Sequence, residues 1–342
     1  MARAAILTVA PRVQSRDNAA RAYNRANHDP GQTMNTEHQG AGEAGQGARE
    51  NRTGILMMVT AMATFIANDT IVKHVSASLP TAQLIFVRGL MATILVLMVA
   101  RSMGTTIRLG EMARGWVATR ALLDAVATML YLVALFQMPI ANATAINLAS
   151  PLFLTVLAAL FLREAVGAHR WVATIVGFAG VLLVIQPRAD GFNAAALVCL
   201  LATAIHSARD LLTRRIAAHL PGIMVTLATT VAVTLLALVV SFFEGWQAMS
   251  WSQIIWLTIA AAFLATGHYA VIAAMRHGEL SLVAPFRYTA LLWALVLGYL
   301  VWGNLPGPMA RVGIVLMIGA GLYVLHRERV RGVGPRGAAI RR

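Results

Sequence analysis

Two pairs of oppositely charged residues lie inside long apolar stretches of the sequence. Asp69 and Lys73 are four residues apart, as are Arg120 and Asp124. Residues four apart lie on one face of a helix, so the two members of each pair can neutralise each other. The same groups can instead contact a polar ligand, and Asp124 can also bind and release a proton, since burial favours a neutral carboxyl. Ion pairing, ligand contact and proton coupling at Asp124 stay open as alternatives.

Two arginines, Arg88 and Arg287, lie in apolar stretches with no acidic residue one helical turn away. A guanidinium does not lose its proton in proteins, so each arginine needs a carboxylate, backbone carbonyls or an anionic ligand. Either side chain can alternatively extend toward a polar boundary. Asn147 and Tyr288 are further polar residues in apolar stretches. All four are predicted to contact a small polar ligand.

The composition excludes an ordinary soluble domain. Of the 342 residues, 58% are hydrophobic and only 12% are charged, whereas soluble domains carry about 25% charged residues. The single cysteine, Cys199, excludes a disulfide framework and a cluster of thiolate metal ligands. The sequence contains no phosphate-binding glycine loop, zinc-ligand spacing or nucleophile motif. We therefore predict no cofactor, no metal site and no enzyme activity.

Apolar stretches recur along the chain at the length of a membrane-spanning helix. Crossing a hydrocarbon layer takes about 17–25 residues, and such segments are helical because lipid offers no hydrogen-bond partner to an open strand. The sequence predicts an all-α membrane protein with ten transmembrane helices, over residues 54–75, 81–100, 116–136, 141–162, 171–186, 193–213, 222–243, 252–275, 280–302 and 309–326.

The basic residues show a consistent topology. The chain has 28 Lys and Arg against 14 Asp and Glu, and cytoplasmic loops of membrane proteins carry the excess of positive charge. Alternate linkers and the C-terminal segment hold nearly all of the excess: Arg101, Arg108, Arg114, Arg163, Arg170, Arg214, Arg215, Arg276, Arg327, Arg329, Arg331, Arg336, Arg341 and Arg342. This pattern predicts a multi-pass protein of the bacterial inner membrane with both termini cytoplasmic, and it disfavours a nucleic-acid partner.

Two polar tails flank the apolar body. Residues 1–53 lack apolar periodicity and are predicted to form a disordered cytoplasmic tail, and residues 327–342 form a basic cytoplasmic tail. Met34 precedes a polar leader to the first apolar stretch, so Met1 and Met34 both stay open as the start of the chain.

The apolar body repeats itself. Asp69 and Pro80 recur as Asp210 and Pro221, each at an offset of 141 residues. Each unit, 54–187 and 193–326, holds five predicted spans, an odd number, so the second unit enters the membrane from the opposite side. Inverted repeats of this kind are typical of secondary carriers, whose substrate site lies near the midplane between the halves.

Several segments of the first unit resemble the EamA-type unit of the drug/metabolite transporter superfamily. The resemblance rests on the segment from Ala134 to Ala145, ALFQMPIANATA, followed by Pro151, Glu164 and the glycine-bearing fifth stretch. It implies a ten-helix carrier of small metabolites, in which Pro151 and Glu164 have structural roles. The second unit departs from the pattern, with Ala290 in the place of Pro151. Members similar in the first span transport amino acids, S-adenosylmethionine or riboflavin.

The leading functional hypothesis is a secondary transporter of a small polar metabolite that works by alternating access, with proton coupling or exchange. The expected partners are that metabolite and the lipid bilayer, and a homodimer stays open. A channel or non-transport membrane component is the first alternative. A membrane-embedded enzyme is the second, but it would need clustered His, Asp and Glu, whereas the sequence supplies isolated charges.

Overall fold

A computed structural model describes residues 30–105, 109–161, 163, 167–186, 194–213, 220–277 and 280–332 of the chain. All the regular elements in these residues are helices. The chain divides between Glu50 and Asn51 into two compact units, and the site described below lies entirely in the second.

The helices fit the predicted membrane crossings. In the described part of the chain, nine are long and apolar enough to cross a bilayer, and a slightly shorter tenth is apolar over Pro308–Val324. These crossings are called spans 1 to 10, and they confirm the predicted all-helical membrane fold. Their helices are Pro30–Val75, Thr81–Ser102, Gly115–Gln137, Ile140–Asn147 with Ser150–Phe161, Ala168–Ile185, Ala194–Thr213, Gly222–Glu244, Trp251–His277, Leu280–Val283 with Thr289–Trp302, and Pro308–Gly332.

The helix of span 1 begins earlier than the sequence suggested. Residues 30–53 were expected to belong to a disordered tail, but the helix starts at Pro30. Extending an existing helix adds one hydrogen bond per residue without a second nucleation step. An apolar span can therefore continue as helix into a polar segment that would not form one alone.

Spans 4 and 9 are interrupted. In span 4 the first helix ends at Asn147 and the second begins at Ser150. Pro151 explains the break, because a proline ring clashes with the carbonyl four residues earlier, which is that of Asn147. In span 9 a 3₁₀ turn, Ala284–Tyr288, joins the two helices and contains Pro285. The second repeat therefore has its own proline at the break, although Ala290 stands where the family resemblance places the counterpart of Pro151.

The two repeats meet about a local twofold axis. Span 2 packs on span 7, and span 5 packs on span 10. Thr93 and Thr234 are 141 residues apart, the offset of the sequence repeat, and their hydroxyl oxygens lie 3.3 Å from each other. Contact between two equivalent positions is what a twofold arrangement produces. The two five-span repeats thus pair through equivalent surfaces.

Spans 5 and 10 approach so closely that only glycine fits at their crossing. A Cβ on Gly180 would lie 2.7 Å from the carbonyl oxygen of Gly313, and a Cβ on Gly313 would lie 2.4 Å from that of Gly180. Small residues let membrane helices come into backbone contact. This crossing joins the last span of one repeat to the last span of the other.

We predict that Gly180→Leu separates spans 5 and 10 and lowers the stability of the folded protein by about 1–3 kcal/mol, as overpacking does. Gly319→Leu on span 10 is the matched control, because a Cβ at Gly319 meets nothing within 4 Å. Thermal unfolding of the purified protein in detergent measures both. Equal unfolding temperatures for the two variants would contradict the proposed crossing.

Candidate functional site

The first group of polar residues lies between spans 1, 2 and 3 and is called the Asp69 cluster; it consists of Asn68, Arg88 and Tyr131, which are buried, and Asp69, which is half-buried. The Tyr131 hydroxyl donates to Asp69 Oδ2 at 3.0 Å, and Asn68 Nδ2 donates to Asp69 Oδ1 at 2.9 Å. Arg88 Nη1 donates to Asn68 Oδ1 at 3.1 Å. Arg88 is only 3% exposed, and its Nε has no hydrogen-bond partner among the described residues.

Lys73 does not pair with Asp69, although the two were predicted to lie on one helix face. Its ammonium group donates to the carbonyl oxygens of Leu135 and Met138. These carbonyls lie at the end of span 3, where a helix leaves its last acceptors unsatisfied. The Lys73 nitrogen also lies 5.7 Å from the centroid of the Trp302 ring. Lys73 thereby connects spans 1, 3 and 9 instead of neutralising Asp69.

Further contacts tie the helices together on the same face of the bundle, the face that carries the linkers 76–80, 138–139, 245–250 and 303–307. The Gln83 amide donates to the carbonyl of Gln247 at 2.8 Å and accepts from its N–H at 2.9 Å. Glu244 accepts a hydrogen bond from the Ala82 N–H at 2.6 Å. This face, called the short-loop face, is held by hydrogen bonds between the two repeats.

The second group lies between spans 3, 6 and 7 and is called the Asp124 cluster; it consists of Arg120, Asp124, His206, Arg209, Asp210, Thr213 and Thr229. Arg209 Nη1 contacts Asp124 Oδ1 directly. The same guanidinium donates to Asp210 Oδ1 from Nε at 3.0 Å and from Nη2 at 2.7 Å. His206 Nε2 lies 3.6 Å from Asp124 Oδ1. One arginine therefore holds two carboxylates.

Arg120 does not pair with Asp124 either. Its Nε donates to the Thr213 hydroxyl at 2.8 Å, and its Nη1 donates to the Thr229 hydroxyl at 3.0 Å. Because Arg209 already contacts Asp124, Arg120 uses its donors on neutral acceptors of spans 6 and 7. Sequence reasoning assigned no role to Arg209, although a span interrupted by three ionisable residues was a signal that it has one.

The two clusters occupy equivalent places in the two repeats. At the offset of 141 residues, Asp69 corresponds to Asp210 and Asn68 to Arg209. By the same offset, Arg88 corresponds to Thr229. Span 3 joins the clusters, because it supplies Tyr131 to the first and both Arg120 and Asp124 to the second. The rings of Tyr131 and His206 stand between them, with centroids 6.5 Å apart.

The other predicted ligand contacts are more dispersed. Arg287 is exposed, whereas Tyr288 beside it is buried. The Tyr288 hydroxyl has no hydrogen-bond partner among the described residues and lies against Gly321 of span 10, where a Cβ would come within 1.6 Å of it. Asn147 is half-buried at the break of span 4. Glu164 lies outside the described residues.

Span 4 carries further buried polar atoms. Asn142 Oδ1 and Thr144 Oγ1 have no hydrogen-bond partner in the part of the chain that the structure describes. Both lie in the first helix of span 4, which begins at Ile140 directly after Pro139. Among the described residues, no group of three or more His, Cys, Asp or Glu could hold a metal ion.

The arrangement offers a buried guanidinium with a free donor, a carboxyl held by neutral groups and a second carboxyl held by arginine, all within a membrane-spanning helix bundle. These groups can bind a small polar or anionic molecule away from water.

One protein of known structure and several relatives are similar to this chain. A protein of known crystal structure, 17% identical in sequence, superposes with a TM-score of 0.57 over 82% of this chain and 99% of its own. A riboflavin transporter of Vibrio cholerae is 29% identical over 80% of this chain and 93% of its own. An S-adenosylmethionine uptake transporter of Rickettsia conorii is 24% identical, over 81% and 94%. A pseudopaline exporter of Pseudomonas aeruginosa is 25% identical, over 78% and 94%.

The family comparison covers both repeats. The model of the EamA-like transporter family matches residues 52–186 and again residues 193–325. The two matches coincide with the two five-span units that the sequence repeat and the Thr93–Thr234 contact define. The chain therefore belongs to the EamA-like transporter family.

Proposed function

We propose that this protein is a secondary carrier that moves a small polar metabolite across the bacterial inner membrane by alternating access. Two repeats that pair about a twofold axis can exchange conformations, so that a site between them opens first to one side and then to the other. The two polar clusters lie at equivalent places in those repeats. Relatives named for the transport of riboflavin, S-adenosylmethionine and pseudopaline support a metabolite substrate.

The observation that carries the proposal is the state of Arg88. Its guanidinium is buried in a membrane-spanning segment, its Nε lacks a partner among the described residues, and its described hydrogen bond goes to the neutral amide of Asn68. A buried cation needs an anionic or strongly polar partner. Arginine presents a planar fork of donors that suits a carboxylate or phosphate. We infer that Arg88 binds an anionic group of the substrate.

This chemistry favours S-adenosylmethionine over riboflavin, two of the molecules for which relatives are named. S-adenosylmethionine carries a carboxylate beside its amino group, whereas riboflavin carries neither a carboxylate nor a phosphate. Arg88 would bind an amino-acid-like carboxylate, and the unpartnered atoms Asn142 Oδ1 and Thr144 Oγ1 would bind its other polar groups. The relatives include both uptake carriers and an exporter.

Flux measurements separate a carrier from a channel. A carrier exchanges labelled substrate against unlabelled substrate and saturates with concentration, since each turnover needs one conformational cycle. A channel shows neither property. Proteoliposomes loaded with S-adenosylmethionine or riboflavin give this comparison directly. Flux that does not saturate and shows no exchange would support the alternative of a channel.

We predict that Arg88→Gln weakens substrate binding by about tenfold to a hundredfold, because a hydrogen bond to a charged group contributes about 1.5–3 kcal/mol. Arg101→Gln is the control, since Arg101 is exposed at the end of span 2 and should leave binding unchanged. Arg287→Gln tests the second predicted arginine in the same assay. Uptake kinetics in proteoliposomes measure all three variants, and wild-type affinity in Arg88→Gln would remove Arg88 from the site.

We also propose that both termini face the cytoplasm, so that the short-loop face is periplasmic. The native Cys199 is buried, whereas Ala77 on the short-loop face and Ser102 at the other end of span 2 are exposed. In intact cells an impermeant maleimide should label Ala77→Cys and spare Ser102→Cys, which should react only after the membrane is opened. The reverse pattern would invert the proposed topology.

A further inference from the structure

Asp69 and Asp124, two acids within the membrane-spanning helices, have very different partners. Asp124 is in direct contact with the guanidinium of Arg209, and His206 lies 3.6 Å away. An arginine cannot give up its proton. If Asp124 lost its negative charge, the positive charge of Arg209 would therefore be less well compensated in the protein interior. This contact holds Asp124 ionised and makes it a poor group for binding and releasing a proton during a transport cycle.

Asp69 is held in a different way. Its two oxygens accept hydrogen bonds from neutral groups, the Tyr131 hydroxyl and the Asn68 amide. The guanidinium of Arg88 donates to Asn68 and not to Asp69, and no basic nitrogen of a described residue lies within 4.0 Å of the carboxyl. A carboxylate in a low-dielectric interior is costly unless it is paired. Binding a proton removes that cost.

The partners of Asp69 accept both protonation states. A tyrosine hydroxyl has one hydrogen to donate and lone pairs to accept, so Tyr131 can donate to the ionised carboxylate and accept from the protonated acid. The Asn68 amide still donates to the other oxygen, and its own oxygen still accepts from Arg88.

The other titratable or charged groups around Asp69 are occupied elsewhere. On span 1, Lys73 donates to the carbonyls at the end of span 3. On span 6, His206 lies next to Asp124, and Cys199 makes a weak contact of 3.7 Å with the carbonyl of Ala143. On span 8, His268 Nδ1 lies 2.8 Å from the carbonyl of Leu264. Arg88 on span 2 remains, and it interacts electrostatically with Asp69 across Asn68.

We propose that Asp69 is the proton-binding carboxyl of this carrier and that Asp124 is a permanent anion that fixes Arg209. The proton forms an O–H bond with a carboxylate oxygen of Asp69 on one side of the membrane and leaves it on the other. This role in coupling rests on the proposed carrier function. It also moves the expected site of proton coupling from Asp124 to Asp69, whose repeat equivalent Asp210 is paired with Arg209.

The position of Arg88 gives the proton a direct effect on substrate binding. When Asp69 is ionised, its charge compensates that of Arg88. When Asp69 is protonated, the positive charge of Arg88 is available to an anionic group of the substrate. Binding of the proton and of the anion therefore strengthen each other, and this linkage is reciprocal. The charge of the proton and the charge of the substrate's anionic group cancel each other when the two cross together.

Infrared difference spectroscopy tests the protonation site without any substrate. Acidifying the purified protein in lipid should produce the C=O stretches of its protonated carboxylic acids, and subtracting the spectrum of a variant from that of the wild type isolates the component of the substituted residue. We expect Asp69→Asn to lose one such component and Asp124→Asn to lose none. Tyr131→Phe should keep the Asp69 component at a changed frequency, because the acid loses its hydroxyl partner, and this variant decides the assignment if Asp69→Asn does not fold. Equal acid bands in the wild type and Asp69→Asn, or a component lost only in Asp124→Asn, overturns the proposal.

A transport measurement tests the coupling with S-adenosylmethionine as the probe. In proteoliposomes with the membrane potential held at zero, one coupled proton gives up to about tenfold accumulation for each pH unit of the gradient. Asp69→Asn should abolish this accumulation while retaining exchange of labelled for unlabelled substrate. Gradient-driven accumulation by Asp69→Asn contradicts the proposal. Absence of both accumulation and exchange in the wild type counts against the proposed transport of this substrate, whereas the infrared result stands independently.

Discussion

Every polar group of this protein that lies inside the bilayer has to find its partner within the helix bundle, because the surrounding lipid supplies none. Backbone groups meet this demand by forming helices. Side-chain charges meet it in three ways: Arg209 pairs with carboxylates, Lys73 caps the free carbonyls of a helix end, and Arg120 donates to threonine hydroxyls. Arg88 donates to the neutral amide of Asn68, and its Nε has no partner among the described residues. The substrate site is proposed at this guanidinium.

The same constraint explains how the clusters position each other. Span 3 faces both of them, since Tyr131 follows Asp124 by seven residues, or about two helical turns. Tyr131 contacts Asp69, and Asp124 contacts Arg209, so one helix links polar groups of spans 1 and 6. A movement of span 3 relative to either neighbour would disturb both clusters at once. The short-loop face adds a further tie through Lys73, whose carbonyl partners belong to the same span.

The sequence was sufficient to predict the helices and the repeat, but it was insufficient to predict which charged side chains contact each other. Apolar length predicts the ten helices, and an offset of 141 residues predicts the repeat that the Thr93–Thr234 contact reflects. The spacing of four between Asp69 and Lys73 predicts only that they can meet. Which contact forms depends on competitors from distant parts of the chain, here the carbonyls of Leu135 and Met138. For the same reason Arg209 could not be recognised as the partner of Asp124, since the two are 85 residues apart.

Equivalent positions in the two repeats carry different residues, so the two repeats form different polar sites. The position that holds Arg88 in one repeat holds Thr229 in the other, and Asn68 is replaced by Arg209. In the second repeat the guanidinium is therefore on the same helix as the acid and contacts it, as Arg209 does Asp210. In the first repeat it comes from the next helix and is separated from Asp69 by an amide. A strict symmetry would give Asp69 and Asp210 the same partner and the same charge state. Because the guanidinium lies on the neighbouring helix in the first repeat, Asp210 is fixed by Arg209 whereas Asp69 is free to change its charge. A carrier that couples two ligands needs this difference between its halves.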